Sequence, residues 1–222
     1  MPDTIEVDLH SADTTQEPTS SMNLVADHGD VNFLMQPSKN STTIRVSSVV
    51  LEFASPVFGA LLGQQFKEGQ GERSATSPKE ILLVGDNHTD NRTAMVDLCD
   101  ILHHKQTDMQ DLDATYDSST RLLELCIISD KYDCGSTIAL AVEGLFSRFL
   151  RGHEFKLHGD EHLLEYHYPA LLNLTAAAYV LRLQEHFRQC SRILILEVTI
   201  EYYRSMPKRA GGILPVWAIC KS

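Results

Sequence analysis

The hydrophobic period of this chain changes once near Ser47, and that change constrains its first elements more than any other feature. Upstream, Val31, Phe33 and Met35 alternate with Asn32, Leu34 and Gln36. The cluster Pro37-Ser38-Lys39-Asn40-Ser41 breaks the run before Thr43-Ile44-Arg45-Val46 resumes it, so a β-hairpin is predicted. Downstream, Val49, Val50, Phe53, Val57 and Leu61 recur at three- and four-residue steps and share one helical face. Ser55-Pro56 divides that stretch. A serine side chain accepts the orphan amides of a new helix, and a proline suits a first turn but disrupts a helix interior. Two short helices meeting at an angle are expected.

The rest of the chain reads as one further strand and several helices. Gly69 to Lys79 is a Gly/Ser loop expected to hang from the surface, and Glu80-Ile81-Leu82-Leu83-Val84 is a buried strand ended by Gly85-Asp86-Asn87. Met95, Leu98, Cys99 and Leu102 mark an amphipathic helix running to His103-His104, where imidazole suits the carbonyl end of the helix. Lys105 to Ser119 reads as a polar connector. A helix capped by Thr120 or a neighbour then spans Leu122 to Asp130, and Gly135 separates it from another that carries Ile138, Val142, Leu145 and Phe149. A His-rich loop follows to Tyr168, after which Pro169 opens a long helix to about Gln189. Ile193, Leu196, Ile200 and Tyr203 mark a last helix.

These readings divide the chain into a solvated tail over 1–26, a main domain over 27–150, a helical extension docked on it over 151–206, and a tail over 207–222. Within the first tail, Ile5, Val7 and Leu9 alternate with Glu6, Asp8 and His10. That is the pattern of a half-buried strand able to add to a sheet edge, set in a segment otherwise suited to disorder.

Composition narrows the function. The 19 basic residues against 30 acidic ones give a formal charge of -11, which repels phosphate backbones and anionic headgroups, so no direct nucleic-acid or membrane partner is expected. Apolar stretches such as Leu171 to Leu183 fall short of the roughly 20 residues that a spanning helix needs. With no signal-like amino terminus, a cytoplasmic or nuclear location is expected. Five scattered cysteines without any Cys-x-x-Cys pair suggest reduced, buried thiols and no cofactor.

Gly29-Asp30-Val31, the hairpin, Val49 to Leu51, Ser55-Pro56-Val57-Phe58, Leu61-Leu62, Phe66-x-Glu68, Leu122-Leu123-Glu124-Leu125 and Asp130-Lys131-Tyr132-Asp133-Cys134 occur in the order and spacing of BTB/POZ domains. The resemblance runs from about Asp27 to Leu150, and its flavour is similar to the BTB proteins of filamentous fungi. It implies an α+β BTB/POZ fold, a small mixed β-sheet flanked by helical hairpins, with a C-terminal helical extension. It also implies a non-enzymatic interaction module that associates with itself, as a dimer, or with another BTB protein. By the same resemblance Val49, Phe53, Val57 and Phe58 are partly interface and partly core. Phe66-Lys67-Glu68 has the hydrophobic-x-Glu form through which BTB adaptors engage a cullin scaffold of ubiquitin ligases; the plainer reading is that Phe66 plugs its own domain. Ser47 and Ser48 stand where the family commonly has histidine and a basic residue. A charged groove for corepressor peptides is therefore not expected although Asp30 is retained. A transcription-associated oligomeriser without its own DNA reader is a further reading.

One enzyme reading remains. His158-Gly159-Asp160-Glu161-His162 matches His-x-x-Glu-His, in which two imidazoles one helical turn apart hold zinc and the glutamate activates water. Gly159 inside the motif and Gly152 upstream argue against the rigid helix such a site needs, and adventitious metal binding is the preferred reading over a zinc hydrolase.

Overall fold

Alternation along two strands decides which way the sheet faces. In the computed structural model, which describes residues 21–36, 42–84, 91–107, 109, 116–152, 161–197 and 213, β2 (Val31–Gln36) and β3 (Thr42–Val46) form the antiparallel hairpin with Phe33 opposite Ile44. Val31, Phe33, Met35, Ile44 and Val46 are buried, whereas Asn32, Leu34, Thr43 and Arg45 on the other face are half-buried. β4 (Lys79–Val84) pairs parallel with β2 and sends Ile81 and Leu83 to the same buried side.

The fourth strand corrects the sequence reading. β1 (Ser21–Leu24) lies parallel to β3 at one edge, giving the order β1-β3-β2-β4, so the sheet starts within the segment assigned to the solvated tail. Met22 and Leu24 in β1 are exposed, so the strand is placed by its pairing with β3 and not by burial of an apolar face, and Val25 just beyond the strand is buried. The alternating Ile5, Val7 and Leu9 lie outside the described residues.

Seven helices complete the described fold: α1 (Ser48–Ala54), α2 (Pro56–Leu62), α3 (Arg92–Leu102), α4 (Tyr116–Lys131), α5 (Gly135–Gly152), α6 (Glu161–Val180) and α7 (Gln184–Glu197). The molecule is thus a mixed α+β structure with a small four-stranded mixed sheet. The two-helix division at Ser55-Pro56 holds, with the Ser55 hydroxyl accepting from the Phe58 amide at 3.0 Å. α4 begins at Tyr116, earlier than the polar stretch suggests. Ser119 and Thr120 donate to the Tyr116 carbonyl at 2.7 and 3.0 Å, so these hydroxyls are satisfied inside the first turn and do not interrupt it.

The carboxy-terminal helices depart furthest from expectation. α6 starts at Glu161 with Pro169 inside it, and it ends at Val180 well before Gln189. The stop is a left-handed residue, Arg182 at φ 56°, with the Leu183 amide donating to the Ala178 carbonyl at 2.9 Å. The same closure recurs after α3, where His104 has φ 56° and Lys105 bonds Asp100, and after α4, where Asp133 has φ 49° and Cys134 bonds Ser129. Glycine normally fills that position; the ends of α3 and α4 fall close to where the sequence puts them, whereas the arginine at the end of α6 gives no stop signal.

α6 is also no peripheral extension. Every residue from Ala170 to Ala178 is buried, between α4 on one side and α7 on the other. Leu171, Leu174 and Leu194 belong to the same apolar core as Phe33 and Ile44. Asn173, which interrupts the apolar run, donates to the hydroxyls of Ser119 at 3.2 Å and Thr120 at 3.0 Å and so fixes how α6 sits on α4.

Candidate interaction surface

α1 is fastened by residues far from it in sequence. Its N-cap, Ser47, makes no side-chain cap bond, and its first turn holds no acidic residue. The Ser48 amide instead donates to Asp30 Oδ1 at 2.7 Å while the Ser48 hydroxyl donates to Oδ2 at 2.6 Å. The Ser47 amide donates to His103 Nε2 at 3.0 Å, and His103 Nδ1 lies 2.7 Å from the Cys99 carbonyl. Burial works against the charge of Asp30, yet the two Ser48 hydrogen bonds, with help from the Arg73 field, hold its carboxyl below the ordinary carboxylate range. Asp30 is therefore a cap for α1, and its charge is spent within the domain. His103 closes its own helix end as its position suggested, and it also closes the start of α1.

α2 is pinned from below. Ser55 is buried and, besides capping Phe58, donates to the Tyr132 carbonyl just beyond α4. Phe58 is fully buried and stacks on Phe33 at 5.7 Å and Tyr132 at 4.6 Å between ring centroids. The expectation that it contributes to an outer surface is corrected: its ring joins sheet, helix pair and α4. Thr137 Oγ1 donates to the Ala54 carbonyl at 2.8 Å, which sets the start of α5 against the end of α1.

With these anchors in place, the outward side of the helix pair is apolar. Phe53 is 90 % exposed, and Val49, one turn before it, is 58 % exposed; Val57 on α2 is exposed as well. Leu140 on α5, one turn beyond Thr137, is 83 % exposed. Sequence reading missed Leu140, although a signal was there: it lies off the stripe of Ile138, Val142, Leu145 and Phe149 that faces the core.

Phe66 and Glu68 sit on a closed turn beside this surface, and both are exposed. Phe66, at 50 % exposure, is only half covered by its own domain. The Phe66 amide donates to the Gly63 carbonyl at 3.2 Å, and the Gly69 amide to the Phe66 carbonyl at 3.0 Å. The turn is so tight that a Cβ at Gly69 would stand 1.9 Å from the Gly63 carbonyl oxygen. The Gly/Ser loop that follows does not hang free: Arg73 bridges to Glu52 of α1 at 3.1 Å, and Arg45 donates to the Ala75 carbonyl. Two arginines, Arg73 inside the loop and Arg45 on β3, are unremarkable as sequence and hold it down.

The described thiols offer little chemistry. Cys99, Cys126, Cys134 and Cys190 are free and buried, and burial pushes Cys134 up to about 11 and Cys190 up to about 12, so neither forms a thiolate readily at neutral pH. His158 lies outside the described residues, as do the side chains of Glu161 and His162. Among the described residues no group of three or more His, Cys, Asp or Glu is arranged to hold a metal ion, and no helix is long and apolar enough to cross a membrane.

Comparison of the chain with protein-family models, with curated proteins and with solved structures finds no match.

Proposed function

We propose that this chain is a protein interaction module of the BTB/POZ type that associates with a second copy of itself through the outward side of α1 and α2 and performs no catalysis. The observation that carries the reading is the 90 % exposure of Phe53 on a helix whose two ends are tied into the domain. A large aromatic held rigidly in water is costly to leave there and suits the centre of a contact. The order of elements supports the reading: hairpin, helix pair, strand, then helices packed on a small sheet. The formal charge of -11 also disfavours nucleic acid and anionic membranes as alternatives to a protein partner. A cytoplasmic or nuclear setting fits the reduced, buried cysteines.

A symmetric contact of this kind buries on the order of 1,000 Å² or more in total. Light scattering on the full chain at about 10 μM should therefore give a dimer mass, and Phe53→Ser should give a monomer. A native protein that stays monomeric at that concentration sinks the reading.

A second reading, that the chain is a substrate adaptor for a cullin-type ubiquitin ligase, draws on the exposed, braced Phe66-Lys67-Glu68 turn. Affinity purification should then recover a cullin with the native chain and lose it with Phe66→Ala and Glu68→Ala together.

A further inference from the structure

His103 has no ring nitrogen to spare. Nδ1 lies 2.7 Å from the Cys99 carbonyl, which can only accept, so Nδ1 carries the proton. Nε2 lies 3.0 Å from the Ser47 amide, which can only donate, so Nε2 keeps its lone pair. Only the neutral ring protonated on Nδ1 meets both partners, and a second proton would set one N–H against another. The Ser47 side chain makes no cap bond, so the start of α1 is fastened by His103 at Ser47 and by Asp30 at Ser48.

We propose that His103 is a clasp on the amino-terminal end of α1, closed while the ring is neutral and opened by protonation. The surroundings set where it opens. Burial disfavours the charged ring, and Lys105 and His104 beside it do the same, against a smaller opposing contribution from the bond to Cys99. The carboxylate reaching the same end of α1, Asp30, is engaged by Ser48 and lies in the field of Arg73, so it is not free to compensate a second proton on the ring. The folded value is thus below the ordinary 6.5. The stabilisation is fully present above that ordinary value and is lost as pH falls through the folded one.

The clasp sits one residue before the helix that carries Val49 and Phe53. Opening it loosens the first turn beneath the exposed apolar side, so acidification weakens self-association; that last step rests on the reading proposed above.

Heteronuclear NMR of the full chain from about pH 8 to about pH 5 tests the clasp directly. The expected result is a proton on Nδ1 of His103 at the alkaline end, a midpoint below 6.5, and a Ser47 amide whose protection drops at least about tenfold as the ring charges. A proton on Nε2 at about pH 8, or Ser47 protection that stays level while His103 titrates, overturns the proposal. His103→Gln offers a donor and an acceptor that do not titrate and should abolish the step; a step that persists in this variant also overturns it. Sedimentation at about pH 7.5 and about pH 5.5 then reads the coupling. Association lost at the lower pH in the native chain and kept in His103→Gln supports it, and equal association at both overturns it. A monomer at both pH values overturns the self-association reading alone, because the NMR result judges the clasp independently.

Discussion

Two apolar helical segments of this chain meet opposite fates. Over Ala170 to Ala178, α6 is buried on every side by α4, α7 and the core; α1 buries Leu51 and Ser48 but leaves Phe53 and Val49 in water. The difference is one of pattern. Over Ala170 to Ala178 α6 is apolar on most sides, Asn173 and Thr175 excepted, and can be satisfied only by cover from several neighbours, which the chain itself supplies. α1 has one face for the core and a second apolar side for which the described residues offer no cover. Apolar area that the fold does not consume is what remains for a partner.

Three substitutions sharpen this contrast. Leu174→Ala, in the enclosed part of α6, should cost about 2–5 kcal/mol in urea unfolding, because the cavity it leaves has neighbours on all sides. A loss under about 1 kcal/mol would mean that α6 is a docked appendage after all. Ser55→Ala removes the acceptor for the Phe58 amide and the donor to the Tyr132 carbonyl together, and should cost about 1–3 kcal/mol by the same assay. Phe53→Ser should change the stability of the isolated domain by less than about 0.5 kcal/mol, measured at concentrations too low for association. A large loss there would mean that the ring packs within its own chain.

Much of the sheet and the helix pair was legible because each local signal agreed with its neighbour. The alternation in β2 and β3 and the Ser55-Pro56 boundary appear where residue type alone put them, whereas β4, read as a buried strand, buries Ile81 and Leu83 but leaves Leu82 exposed. What escaped depended on partners far off in sequence. β1 is held by pairing with β3, and its two alternating apolar residues, Met22 and Leu24, are exposed and not buried. The start of α4 was hidden by serine and threonine that bond back to Tyr116, and the end of α6 by an arginine in a glycine-like conformation. At the candidate surface, spacing put Val49, Phe53 and Val57 on one helical face, while the resemblance that named them as interface did not separate them from Phe58, which is core. The capping of α1 by Asp30 and His103 joins residues 18 and 56 positions from their partners, beyond the reach of any local rule.

The missing side chain at Gly69 has a consequence for recognition. Because that glycine lets the backbone fold onto Gly63, the knob formed by Phe66 and Glu68 is shaped before any partner arrives. A molecule that grips it has little loop entropy to overcome, so contact can be brisk and selective even over a small footprint. Gly69→Ala would leave Phe66 and Glu68 in the sequence and remove the geometry that presents them.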